Sequence, residues 1–207
     1  MNRLLIAFIV CSLSLMATAQ NSDEKTPLEN HPGYASLDTA AILGDRVPDT
    51  NIILPKSLLQ TGAAILENAQ PAVASLAKDL DFMRVQKFLN LKADESPAPN
   101  AAQVHAAVTQ QCKHLMQQGW LQIATFSNAQ EGGNAYTTVL MKFRENGNLL
   151  GIAIIKEQLP ERFVYINFGG DIPSDALGKT GLSGLIATDA LNELAVPQTK
   201  SENASAE

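Results

Sequence analysis

Apolar positions along the chain follow two rhythms, and the change from one to the other marks out the elements. Asn51 to Leu54 is a short strand. Pro55 then opens a helix, where the missing N–H costs nothing, with Leu58, Leu59, Gly62, Ala63 and Leu66 as its apolar stripe. Pro71 restarts the helical rhythm, and Val73, Leu76, Ala77 and Leu80 continue it. Met83 and Val85 alternate within a second strand, Phe82 to Leu91. From Ala101 to Gln118 the helical spacing is clearest, through Val104, Ala107, Val108, Cys112 and Leu115. Asn100 is a suitable N-cap, Gly119 a stop, and Trp120 begins the next strand.

Four strands then follow in sequence: Leu121 to Phe126, Tyr136 to Arg144, Leu149 to Lys156 and Phe163 to Phe168. Val139, Met141 and Phe143 alternate with polar neighbours, as do Val164, Ile166 and Phe168. The connectors are short. Asn146-Gly147 suits the positive φ angles of a type I′ hairpin, and Leu159-Pro160-Glu161-Arg162 suits a turn. Such connectors force neighbouring strands to be antiparallel, so this half is a meander. A last helix is expected from about Pro173 to Leu194, weakened by Gly178, Gly181 and Gly184. The order β-α-β-α-β-β-β-β-α predicts an α+β fold, a two-layer sandwich of a mostly antiparallel sheet with helices on one face. The first strand–helix–strand unit admits one parallel pair through a right-handed crossover.

The ends of the chain read differently. Arg3 precedes an apolar run from Leu4 to Met16 and the small residues Ala17-Thr18-Ala19. This is the layout of a secretory signal peptide over residues 1–19, cut before Gln20. The run is shorter than the ~20 residues that span a bilayer, and Val10 before Cys11 does not suit lipoprotein processing. Residues 20–30 form a polar leader, 31–196 a single α/β domain, and 197–207 a polar tail expected to be disordered. Asn203-Ala204-Ser205 in that tail matches the glycosylation pattern, which matters only in a eukaryotic host. Lys92 to Asn100 is a loop.

Charge and cysteine content narrow the partners. The net charge is −6, and losing Arg3 leaves the mature chain near −7, which disfavours nucleic acid and anionic lipid. No second run reaches membrane-spanning length, so no membrane span is expected after cleavage. Cys112 alone survives cleavage, which rules out an intramolecular disulfide. It reads as a buried thiol, with pairing to another chain left open.

No catalytic, cofactor-binding or metal site emerges from the spacing. Gly178-Lys179-Thr180 resembles the end of a phosphate loop, but the glycine required five positions earlier is Pro173. His105 and Cys112 share a helical face while His114 points away from it, so one helix cannot bring all three to an ion. Ser183 lies in Gly181-Leu182-Ser183-Gly184, yet a nucleophile elbow needs glycine where Leu185 stands. Asp79 with Asp81, and Asp171 with Asp175, are acid pairs that more simply cap helices, Asp171 especially. His31-Pro32-Gly33-Tyr34 is expected to pin the chain end onto the domain through the tyrosine ring.

His31-Pro32-Gly33-Tyr34 is followed in order by Ile53 to Leu59, Gly119-Trp120, Leu150-Gly151-Ile152 and Asn167 to Ile172. From about His31 to Ala187 this series resembles an uncharacterised exported bacterial family, domain of unknown function 4252. The resemblance implies an envelope protein, an association with membrane signalling genes such as extracytoplasmic sigma factors, and no assigned functional residues. The expected function is a periplasmic or extracellular, non-enzymatic module that binds an unknown envelope protein or ligand, without cofactor. Two rivals stand beside it. One is a hydrolase-type enzyme combining His31 or His105 with a carboxylate, and the other is a carrier of a small apolar ligand.

Overall fold

A computed structural model describes residues 28–91, 100–127 and 135–176, all within one compact unit, Glu24–Leu182. The second unit, Met1–Asp23 with Ser183–Glu207, lies outside the described residues.

The chain enters through a 3-10 turn, Leu28–Asn30, and a short helix α1, Thr39–Leu43. The Asp38 side chain caps α1 by accepting from the Ala41 N–H, and Gly44 ends it at φ +72°. Then come β1 (Thr50–Pro55), α2 (Lys56–Leu66), α3 (Pro71–Asp79), β2 (Leu80–Leu89) and α4 (Ala101–Gln117). The meander β3 (Leu121–Ser127), β4 (Ala135–Phe143), β5 (Leu149–Gln158) and β6 (Arg162–Ile172) completes the fold. The sheet is six-stranded and antiparallel throughout, in the order β1-β2-β6-β5-β4-β3. The architecture is thus the α+β sandwich anticipated from the periodicity, with the expected meander.

Besides α1, which lies in a stretch the periodicity left unassigned, three details differ from expectation. The first concerns β1 and β2, which pair antiparallel, Ile52 opposite Val85, with no parallel crossover. Two helices, α2 and α3, separate these strands and pack on each other as a hairpin. One helix would carry the chain to the far end of the sheet, whereas two return it to the end it left. The second concerns the turn at Asn146-Gly147, where only Gly147 has positive φ, at +85°. The Asn146 side chain instead accepts from the Asn148 N–H at 3.0 Å. That leaves Asn146 in an ordinary conformation and makes a three-residue loop closed by Gly147 N–H to the Arg144 carbonyl. The third concerns the Leu159–Pro160 peptide in the β5–β6 turn, which is cis. The helix expected from Pro173 falls almost wholly outside the described residues.

On one face of the sheet Leu140, Ala153, Ile155, Phe163, Tyr165 and Phe88 form the core. The buried stripe of α4 (Val104, Val108, Cys112, Leu115) seals it, together with Ile42 and Leu43 of α1 and Trp120. Each large aliphatic or phenylalanine side chain among these contributes about 2 kcal/mol. Asn100 caps α4 as anticipated, its side chain accepting from Ala102 N–H at 2.9 Å. The alternation suggested a second, wetter face. In β5 and β6 that face is buried as well, through Ile152, Ile154, Val164 and Ile166.

Candidate functional site

Three places carry chemistry or an unusual surface: the segment after the leader, the buried carboxylate under α4, and the β3 edge.

The run His31 to Ala35 lies across β5 and β6 as a strap. Gly33 crosses the backbone so closely that a Cβ there would sit 1.8 Å from the Leu150 carbonyl oxygen. Gly151 meets it from the other side, where a Cβ would lie 2.4 Å from the Gly33 oxygen. Two glycines are needed because two backbones touch. Asn167, fully buried on β6, binds the strap at both polarities. Its Oδ1 accepts from Ala35 N–H at 2.9 Å, and its Nδ2 donates to the carbonyls of Gly33, Ile152 and Phe168 at 3.1–3.2 Å. The Tyr165 hydroxyl donates to the Ala35 carbonyl.

His31 fixes the strap's first turn. Its Nδ1 accepts from the Gly33 N–H at 3.0 Å, so that nitrogen carries no proton, and Nε2–H faces Asp81 at 3.2 Å. Lys56 donates to the other Asp81 oxygen at 2.8 Å. Burial works to raise the Asp81 pKa, but the hydrogen bonds from Lys56 and His31 outweigh it and hold the carboxyl below its usual value. The His31 ring stands edge-on to Phe82, and Arg84 donates to the Tyr34 hydroxyl. Both His31 nitrogens are therefore committed to holding the strap, and Tyr34 pins it as expected.

His105 has a different setting. Its Nδ1 lies 3.2 Å from both oxygens of Glu157, a carboxylate with 0% exposure on β5. The ring stacks on Tyr136 of β4 at 4.0 Å. Burial pushes the Glu157 pKa up, and His105 pulls it back in part. Cys112, on the same helical face, is buried, and burial with the nearby Glu157 pushes its thiol up to about 11. That thiol is unreactive at neutral pH. His114 is on the exposed side, hydrogen-bonded to Gln118 at 2.9 Å. A buried carboxylate orienting a half-exposed imidazole is two thirds of a hydrolytic triad. No described nucleophile hydrogen-bonds to His105 Nε2. Among the described residues no three His, Cys, Asp or Glu side chains are grouped to hold a metal.

The acid pairs sort differently from the sequence pattern. Asp81 turns to Lys56 and His31, while Asp79 feels Asp171 of β6. Burial first, and then that like charge, raise the Asp79 pKa. Asp171 accepts from Asn148 at 3.0 Å and pairs with Arg144. Gly178-Lys179-Thr180 and Ser183 lie outside the described residues. A cleft of about 260 Å³ opens beside Arg46, Asp49 and the Phe88–Leu91 end of β2. It is at the small end for an organic ligand.

The third place is β3, an end strand of the sheet whose only strand partner among the described residues is β4. Leu121, Ile123 and Phe126 are 55%, 51% and 55% exposed, and Phe143 of β4 is 39% exposed. Periodicity marked this strand correctly but could not say that it sits at an edge. Asn167 was also missed, because it occupies the polar phase of an alternating strand, and so was Glu157, which lies just past the expected end of its strand at Lys156.

No family model, no curated protein and no solved structure matches this chain.

Proposed function

We propose that this chain is an exported, non-enzymatic module of the bacterial envelope that works by binding another polypeptide along β3. The observation that supports this reading is the apolar exposure of β3. An end strand whose outer side pairs with no described strand, and which carries three half-exposed large side chains, is a template for strand addition. The signal-peptide layout at residues 1–19 and the resemblance to an exported family belong to the same proposal. A photo-crosslinking phenylalanine analogue at Phe126, introduced in the cell of origin, tests the contact. Crosslinks to a polypeptide are expected, and their absence under growth and envelope stress would refute it. Intact mass of the cellular protein tests export. The expected N-terminus is Gln20, and a cytosolic chain retaining Met1 would refute it.

A second reading, a histidine–carboxylate hydrolase, is favoured only by the His105–Glu157 geometry. It requires hydrolysis of ester or amide probes that disappears in H105A. Hydrolysis unchanged in that variant, or none in the wild type, rejects it.

A further inference from the structure

We infer that Lys87 is the centre of a binding site for a small oxyanion of the phosphate class, on the sheet face turned away from α4. The site lies towards the β1 end of the sheet and is independent of the reading of β3.

The strand register brings three cations onto this face. Lys87 of β2 and Lys156 of β5 both lie opposite Val164 of β6, one on each side of it. Arg162 is two residues from Val164 along β6 and so shares the face. Its Nε donates to Gln158, which lies opposite it on β5. Lys87 is 3% exposed and Lys156 8%. Lysines are almost never covered to this degree unless an acceptor or an opposite charge meets them.

Lys87 has no such partner among the described residues. Its ammonium has three N–H groups, and only longer-range effects act on it. Lost hydration first, and then the Arg162 charge, push its pKa below the usual lysine value, and Asp49 opposes them. Asp49 accepts from the Leu89 N–H at 2.7 Å and makes no hydrogen bond with Lys87. Asp45 and Glu161, the other carboxylates close by in sequence, are exposed. Lys87 Nζ is not among the fully covered polar atoms that lack a partner, so the tip of an otherwise covered side chain reaches the surface.

An oxyanion at that tip gives the ammonium its acceptors and sets a negative charge near Arg162. Lysine holds phosphate as a point charge, without the planar match that a guanidinium requires. The net charge of −6 works against anions over the rest of the surface, which makes a cationic spot selective. The cleft of about 260 Å³ starts at the next residues of β2, Phe88 and Leu89, with Arg46 and Asp49 in its walls. That volume limits the ligand to the free ion or a small organic phosphate.

Calorimetric titration of the purified protein with inorganic phosphate, against chloride at equal ionic strength, tests the site. Saturable binding is expected, weakened about tenfold or more in K87M. Methionine keeps the apolar stem and removes the charge, so K87M should melt no lower than the wild type. D49N keeps an acceptor for the Leu89 N–H and removes a competing charge, so it should bind phosphate about threefold more tightly or better. Glycerol phosphate separates the two sources. Tighter binding than inorganic phosphate assigns an organic phosphate, and equal or weaker binding assigns the free ion. No saturable binding to the wild type overturns the inference. Binding that K87M leaves unchanged also overturns it, as an adventitious ion only.

Discussion

Asn167 is the residue whose loss should say most about how the domain is closed. In N167A, the Ala35 N–H and the Gly33 carbonyl lose their buried side-chain partner. An orphaned buried group costs about 1–3 kcal/mol, so the pair costs about 4 kcal/mol, a large share of the ~5–15 kcal/mol that holds a domain folded. That penalty is independent of pH. N167D keeps the shape and the acceptor toward Ala35 but turns a carboxylate oxygen toward the carbonyls of Gly33, Ile152 and Phe168. The carboxyl escapes this repulsion by taking a proton. From an ordinary Asp pKa of about 3.9, that costs about 4 kcal/mol at pH 7 and about 1.4 kcal/mol less for each unit of acidification. Urea unfolding of both variants from pH 4.5 to 8, with hydrogen exchange on the Gly33–Ala35 amides, measures both effects. A loss below about 1 kcal/mol in N167A would refute this account of the strap. So would an N167D deficit that does not shrink in acid.

His105→Ala removes the one described partner of Glu157, and the cheapest response is again a proton. From the ordinary carboxyl value of 4.5, the electrostatic cost at pH 7 is at most about 3.4 kcal/mol, vanishing near pH 4.5 and leaving only lost packing, as chemical denaturation across that range would show. In the wild type the raised Glu157 pKa means that the folded state holds this proton to higher pH than the unfolded chain. The associated stability is therefore full below 4.5 and declines as pH rises, and E157Q should flatten that limb of the stability profile. Asp81 acts in the opposite sense. Its depressed pKa gives stability above 3.8 that is lost as pH falls, so D81N should abolish an acid-induced rise in hydrogen exchange over His31–Tyr34. Gly33→Ala drives a Cβ into the Leu150 carbonyl, and should cost at least about 3 kcal/mol in a thermal or urea melt.

The periodicity of the chain was enough to place α4 with its cap, α2, α3 and all six strands, because each buries residues at the spacing its geometry demands. The sequence was silent where one residue's meaning depends on a distant one. Asn167 and Tyr165 sit between Val164, Ile166 and Phe168, and by alternation they face water. The strap and α4 cover that face, so the same two residues become internal hydrogen-bonding groups. Glu157 is a similar case, since alternation cannot reveal that His105, 52 positions earlier, lies over it. The parallel pairing allowed for β1 and β2 fails for a related reason. Two helical stripes separated by a short turn reverse the chain's direction, and one stripe does not.

The strap has a consequence for the order of events in assembly. Ala35 meets Asn167 across 132 positions, and Tyr165 meets the Ala35 carbonyl across 130. A ribosome releases residues 31–35 early, yet their binding site does not exist until β6 has been made. The earliest-born part of the domain is thus the last to be tied down. Such wide loops close slowly. Until the final strand arrives, the growing chain remains open and threadable.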